Sequence, residues 1–353
     1  MYEYFNLDSL LTQAAEADVT ALRQFLTTHP EQPLIATGSG GAESVADFVA
    51  LLYGARGGVA TAVSPYTLNS YCNEALKTAK LLLVSKGGHN NDIIFAAKRG
   101  LDVNPEKTAS FTLYTGDRNE VRKLFAKKGS ALSFDIPGLR AHDAFISTGT
   151  PVLYFALLCR IFDPGCDLSK YKKAPEVPYR LERNDGTALA PADFKDVKNY
   201  VILNGSWGRP AADNLEGKLV ESGLCPACVV DFRNYCHGRF IFTSNHLEDS
   251  AVVMFVSPRE RDIAARTRKF LPASTKLVII ETDTDAPEAS LDLLIRSSLF
   301  FFDLCSATGT DWVSPANPGR IDKRQPMWVP FVKQLKEQGP LTIFSYICEN
   351  SHC

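Results

Sequence analysis

Five short stretches of this 353-residue chain carry side chains able to do chemistry. Thr37-Gly38-Ser39-Gly40-Gly41 follows an apolar run and opens a helical one, so its hydroxyls and free backbone N–H groups suit an anion, a phosphate monoester above all. Ser85-Lys86-Gly87-Gly88-His89-Asn90-Asn91-Asp92 repeats that design, and Ser147-Thr148, just before Pro151, adds two hydroxyls to such a cradle. None is a nucleotide fingerprint. Glu43 stands where Gly-x-Gly-x-x-Gly needs its third glycine, and no Gly-Lys-Ser/Thr end is present. Taken singly, a tight turn or an N-cap accounts for each stretch as well.

The other two stretches carry acid–base groups. Lys218 and Glu221 lie three residues apart on one helical face, a spacing that by itself reads as an exposed surface pair. Asp231-Phe-Arg-Asn-Tyr-Cys-His-Gly-Arg239 gathers Arg233, His237 and Arg239 in one loop. Upstream, Cys225-Pro-Ala-Cys228 has zinc-like spacing, but no second Cys-x-x-Cys follows and Cys228 reads as the start of a buried strand, so no metal is expected. A thioredoxin-like role fits poorly, because the pair follows a helix and not a strand-to-helix turn.

These stretches need a frame to hold them. Residues 8–28 read as one covering helix capped by Asp8. After Pro30, apolar runs at 34–36, 59–63, 81–84, 110–114 and 131–134 alternate with helical patterns at 41–53, 90–99 and 119–128. The rhythm restarts with strands at 200–203, 228–230, 251–256 and 276–280, and helices at 209–222, 259–270 and 288–302. Alternation of this kind predicts parallel sheets flanked by helices, an α/β fold in three layers. Turn signals crowd residues 163–199, and Leu34-Ile-Ala-Thr-Gly-Ser-Gly-Gly-Ala matches Val201-Ile-Leu-Asn-Gly-Ser-Trp-Gly-Arg at a distance of 167 residues. The expected organisation is a helical segment (1–29), a first domain (30–165), a linker (166–198), a second domain of the same plan (199–335) and a tail (336–353).

With these motifs in order, the chain resembles the SIS (sugar isomerase) phosphosugar-binding family, in particular the double-domain branch that includes the isomerase half of glucosamine-6-phosphate synthase. Ser85–Asp92 is similar to the family's Ser-x-Ser-Gly-x-Thr-x-Asp loop, Ser147-Thr148 to its Ser-Thr-Lys segment, and Lys218-Leu-Val-Glu221 to its Lys-Leu-Lys-Glu. His237-Gly238 follows Glu221 by the interval of the family's His-Gly-Pro. The resemblance implies two tandem SIS domains and a sugar-phosphate ligand held by Ser85, Lys86, Gly87, Asn90, Ser147 and Thr148, to which the loop read above adds Thr37, Gly38 and Ser39. It implies Glu221 as proton shuttle, Lys218 as supporting cation, and His237 as ring-opening acid/base given by the neighbouring subunit of a homodimer. Arg233 and Arg239 join the anion-binding set, and Lys323 matches a lysine of the family's C-terminal tail.

Departures from the pattern matter equally. Gly87, Asn90 and Gly149 replace a serine, a threonine and a lysine. Each lost hydrogen bond to a charged phosphate is worth about 1.5–3 kcal/mol, so affinity falls by orders of magnitude unless Lys86, His89 or an arginine compensates. The expected activity is isomerisation, deamination or deglycation of a phosphorylated sugar through an enediol-type proton transfer. The alternative is a non-catalytic phosphosugar or nucleotide-sugar sensor. No N-terminal cysteine nucleophile is present, so glutamine-dependent synthesis by this chain is not expected.

Composition bounds the rest. With 38 Lys+Arg against 40 Asp+Glu, a net charge of −2 and 45% hydrophobic residues, the chain is not one that coats nucleic acid or stays disordered. The run Val152–Cys159 is too short to span a bilayer, and Met1-Tyr-Glu-Tyr-Phe5 lacks signal-peptide character. Nine irregularly spaced cysteines do not form a disulfide framework, so a cytoplasmic protein without cofactors is expected.

Overall fold

The computed structural model describes residues 5–113, 118–128, 132–135 and 144–313, which divide into two compact units. One takes residues 17–135; the other takes 5–16 together with 144–313.

The first unit holds strands β1 (Leu34–Gly38), β2 (Ala60–Val63), β3 (Lys80–Ser85), β4 (Thr108–Thr112) and β5 (Leu132–Asp135). All are parallel, in the order β2-β1-β3-β4-β5. Period-2 alternation turns Ile35, Leu81 and Leu83 to one face, where they meet Leu68, Leu76, Ile93, Ala97, Val121 and Phe125. Those residues come from α4 (Pro65–Tyr71), α5 (Asn73–Leu76), α6 (Asn91–Val103) and α7 (Glu120–Lys128). Helix α3 (Glu43–Ala55) packs along β1 and β2. Because β2 and β3 flank β1 on opposite sides, right-handed crossovers place α3 and α4 on opposite faces.

In the second unit the strands are β6 (Arg180–Arg183), β7 (Asn199–Asn204), β8 (Ala227–Asp231), β9 (Ser250–Val256) and β10 (Lys276–Glu281). Their order is β6-β10-β9-β7-β8, with β6 antiparallel at one edge. Val201, Leu203, Val252, Met254, Leu277 and Ile279 share one face with Ala264, Phe232 and Tyr235. The helices are α8 (Gly149–Phe162), α9 (Arg209–Glu221), α10 (Phe232–Asn234), α11 (Phe240–Asn245), α12 (Arg261–Phe270) and α13 (Glu288–Thr308). Between α10 and α11 the chain makes a wide turn over Tyr235–Arg239, broken at His237 and at Gly238, whose φ is +102°. No described helix is long and apolar enough to cross a membrane.

The two sheets share a plan. Ala36 pairs with Leu82 as Leu203 pairs with Met254, so Gly38 and Gly205 hold equivalent places, and so do Ser85 and Ser257.

Three expectations change. Residues 8–28 form two helices, α1 (Leu7–Glu16) and α2 (Thr20–Thr27). Asn6 rather than Asp8 caps the first, accepting the Ser9 N–H at 3.0 Å, while Asp18 accepts the Thr20 N–H at 2.9 Å where the second begins. The segment 166–198 is more than a linker: it supplies β6, and its Tyr179 and Phe194 meet Phe300 edge to face, with centroids at 5.5 and 6.5 Å. Finally, α8 follows the first sheet in the chain but packs with α1 and α13 in the second unit. It is buried on nearly every side, as a helix whose one charged residue is Arg160 in the last turn must be.

Candidate functional site

The first candidate site lies at the carboxyl ends of β1 and β3, where the chain leaves β1 for one side of the sheet and later returns on the other. A crevice at such a switch point is the usual ligand position in open α/β sheets. Gly38 is required there by close approach, since a Cβ would stand 2.3 Å from the Ala42 carbonyl oxygen. Ser39 reaches across to the second loop, its Oγ donating to Asp92 Oδ2 at 3.4 Å. Thr37 is fully buried, and its Oγ1 makes no hydrogen bond among the described residues.

The second loop is rigid. Ser85 Oγ accepts the Gly88 N–H at 3.1 Å. The Lys86 and Gly88 carbonyls accept N–H groups of Leu113 and Val121 at 3.2 and 3.0 Å. Gly88 has φ +59°, and a Cβ there would stand 2.0 Å from Asn119 Oδ1. Asn119 is itself held by Thr112 Oγ1 and the Arg122 N–H. Sequence reasoning missed this clamp, because nothing in the residues around 119 marks it. With the loop carbonyls so engaged, the N–H groups of Gly87, His89 and Asn90 make no hydrogen bond among the described residues. These three N–H groups flank the left-handed Gly88, whose own N–H is taken by Ser85, at the start of α6, where the helix dipole favours an anion. Asn90 is committed in part, as its Oδ1 caps α6 on the Asp92 N–H at 2.8 Å; Lys86 is exposed.

The other candidate residues belong to the second unit. Ser147 is half-buried and Thr148 fully buried, just before α8. Lys218 is not the surface residue that its spacing suggests: it is 3% exposed, and its Nζ donates to Ser298 Oγ of α13 at 2.8 Å. Ser298 Oγ in turn donates a hydrogen bond to the Leu294 carbonyl at 2.7 Å. Glu221, one turn on, closes α9 with an exposed carboxyl. Protein crowding it on one side raises its pKa, and the Lys218 charge opposes that rise without cancelling it.

Arg233, His237 and Arg239 are exposed along the turn after β8 and form no ion pair among the described residues. Asp231 anchors that turn by accepting the Arg233 and Asn234 N–H groups at 2.9 and 2.8 Å. Burial works against the Asp231 carboxylate, but bonds from Asn234 and Arg233 outweigh it and hold its pKa down. Cys228 is exposed on β8, 3.6 Å from Arg239, and does not begin a buried strand; burial pushes the Cys225 thiol up to about 11. Three consecutive apolar residues of α11, Phe240, Ile241 and Phe242, are 44%, 54% and 44% exposed. Lys323 lies outside the described residues.

The second sheet has the equivalent crevice, and a side chain fills it. Glu260 Oε2 accepts the Ser257 N–H at 3.1 Å and the Ser257 hydroxyl at 2.5 Å, and the same carboxylate stands against Gly205.

No protein-family model and no curated protein matches the chain. Solved structures do. Tagatose-6-phosphate ketose/aldose isomerase from Escherichia coli aligns over 90% of this chain and 94% of its own, with TM-score 0.65 and 16% identity. Glucosamine-6-phosphate deaminase from Thermotoga maritima aligns over 88% and 97%, with TM-score 0.59 and 15% identity. The C-terminal domain of glucosamine-fructose-6-phosphate aminotransferase from Francisella tularensis aligns over 88% and 95%, with TM-score 0.60 and 11% identity. The chain therefore has the double sugar-isomerase (SIS) fold, the architecture of these phosphosugar enzymes.

Proposed function

We propose that this protein binds a phosphorylated sugar or aminosugar and carries its C1–C2 region through an enediol-type proton transfer, as an isomerase, deaminase or deglycase. The observation that supports this most is Glu221, a carboxylate whose pKa is raised by crowding, one turn from the buried Lys218 ammonium. Such a carboxylate is a stronger base than an ordinary one. In the isomerase reading Glu221 takes the proton from C2 while the electron pair moves into a C1–C2 double bond and the carbonyl oxygen gains a proton. Return of a proton to C1, with loss of one from the C2 hydroxyl, completes the aldose–ketose exchange. His237 moves the ring-oxygen proton that opens the sugar, and Lys218 steadies the negative charge that develops. The N–H groups of Gly87, His89 and Asn90, with Thr37, Gly38, Ser39, Ser85 and Lys86, take the phosphate; Ser147, Thr148, Arg233, Arg239 and Lys323 are further anion-binding residues of this reading.

We assign the active form as a homodimer in which His237 completes the neighbour's site. The exposed Phe240-Ile-Phe242 run directly after the His237 turn supports that assignment.

In D2O, the protein is expected to place deuterium at C2 of a responsive sugar phosphate from a panel that includes tagatose 6-phosphate and glucosamine 6-phosphate. Glu221→Gln is expected to stop the exchange and keep the ligand-induced thermal shift. One observation favours a second reading, a sensor without catalysis: Asn90 is spent on capping α6, which weakens the phosphate cradle. A thermal shift with no exchange in the wild-type protein would establish that reading against the first.

A further inference from the structure

Two cysteines meet at the end of α8. Cys159 lies in the last turn of that helix and Cys166 just beyond it. The chain between them folds back on itself: the Cys159 carbonyl accepts the Asp163 N–H at 2.7 Å, and the Asp163 carbonyl accepts the Cys166 N–H at 3.1 Å. The second bond closes a β-turn with Pro164 and Gly165 at its centre, and Asp163 Oδ1 steadies it by accepting the Gly165 N–H at 2.9 Å. That turn brings the thiol of Cys166 back to the thiol of Cys159, and the two are hydrogen-bonded.

The partners are placed unequally. Cys159 is 1% exposed, whereas Cys166 is half-buried and open on one side to solvent. Burial, the Cys166 thiol and the nearby Glu288 and Asp163 carboxylates all raise the Cys159 pKa, so Cys159 keeps its proton and is the donor of the pair. A buried thiol by itself is inert, and an accessible thiol by itself is oxidised stepwise to acids. An accessible thiol in contact with a buried one is different, because the first oxidation product is captured as a disulfide before a second oxidant arrives.

We propose that Cys166 and Cys159 form a peroxide-responsive pair, in which Cys166 meets the oxidant and Cys159 resolves it to an intramolecular disulfide. The oxidant is a hydroperoxide. The Cys166 sulfur takes one peroxide oxygen as hydroxyl, the O–O bond breaks, and the thiol proton leaves on the other oxygen. The Cys159 sulfur then attacks the Cys166 sulfur, the S–O bond breaks, and the Cys159 proton departs with the hydroxyl as water. The two thiols lose two electrons and the peroxide gains them; a dithiol returns the pair to its reduced form. The bond ties the end of α8, which packs with α1 and α13, to the turn that follows it. The pair is independent of the sugar-phosphate reading.

The test is a peptide map of the full chain after treatment with hydrogen peroxide, with the remaining thiols alkylated in denaturant. Trypsin cuts after Arg160, between the two cysteines. Peptides 141–160 and 161–170 are expected to appear joined, lighter than their sum by two hydrogens, and to separate on treatment with dithiothreitol. Cys159→Ala is expected to leave Cys166 as a sulfenic acid that dimedone traps, and Cys166→Ser to leave Cys159 unoxidised. The wild-type map decides the matter even where loss of the buried Cys159 side chain costs the fold. Cys228 and Cys236 are exposed and measure the dose. If they are oxidised while Cys159 and Cys166 both remain free, the pair is overturned. If Cys166 is oxidised further, or joins another cysteine while Cys159 stays free, the resolving role of Cys159 is overturned.

Discussion

At the scale of the residue, Lys218 and Glu221 show how far type and spacing reach. Three-residue spacing identified a shared face, and the family resemblance singled out the pair. Neither revealed that the lysine points inward to Ser298, because the partner lies 80 residues away on a helix whose serine is one small polar group among phenylalanines. Asn119 was invisible for the same reason: it acts by touching Gly88, and contact across the fold leaves no local pattern. The raised pKa of Glu221 has a measurable consequence. A carboxyl that holds its proton more tightly when folded stabilises the fold at low pH and loses that contribution as pH rises through its folded pKa. Glu221→Gln is therefore expected to melt with the wild type in acid and above it at neutral pH, the gap opening upward from the ordinary carboxylate range. Solvent on the open side keeps the gain small. A wild type that melts higher than Glu221→Gln at pH 7 contradicts this account, which describes a base kept at some cost to stability.

At the scale of the element, strands were the most legible feature, since each buried strand is a short apolar run ended by Gly, Ser or Asp, and that signal is local. Errors collected where long-range packing decides. The turn-rich segment 163–199 has weak periodicity, yet Tyr179, Phe194 and Tyr200 all stand edge-on to Phe300, which turns an apparent spacer into a wall of the second unit. Residues 8–28 keep an unbroken helical spacing, yet residues 17–19 leave the helix, with Asp18 accepting the Thr20 N–H where α2 begins. The break matters because α1 buries Leu7, Leu10, Leu11 and Ala14 in the second unit, while α2 turns its C-terminal carbonyls, at Phe25 and Thr28, to the Lys80 ammonium in the first. Deleting residues 1–16 is accordingly expected to lower amide protection in α8 and α13 and to leave β1–β5 as they were, as read by hydrogen exchange. Equal loss in both units would refute the division.

At the scale of the whole molecule, two sheets that share a plan over four parallel strands differ at the crevice. Among the described residues, the crevice between β1 and β3 keeps unbonded N–H groups around a left-handed glycine, whereas in the crevice between β7 and β9 the Glu260 side chain accepts the Ser257 N–H and hydroxyl. The net charge of −2 offers no general attraction, so the phosphate binding proposed above rests on such local donors. If the active form is the dimer proposed above, mixing Glu221→Gln chains with His237→Ala chains is expected to restore about a quarter of wild-type exchange, because half of the dimers are mixed and each mixed dimer has one intact site. No recovery after subunit exchange, in variants shown to be dimeric, would mean that each chain uses its own histidine. The division of the chain between units also bears on its birth. Residues 17–135 are contiguous and meet their partners early, whereas α1 belongs with α8 and α13. At about 5–20 residues per second, roughly 15–60 seconds separate the synthesis of α1 from that of the end of α13. For that interval α1, an amphipathic helix with three leucines and an alanine to bury, waits without the surface it finally packs on, open to a chaperone on the ribosome.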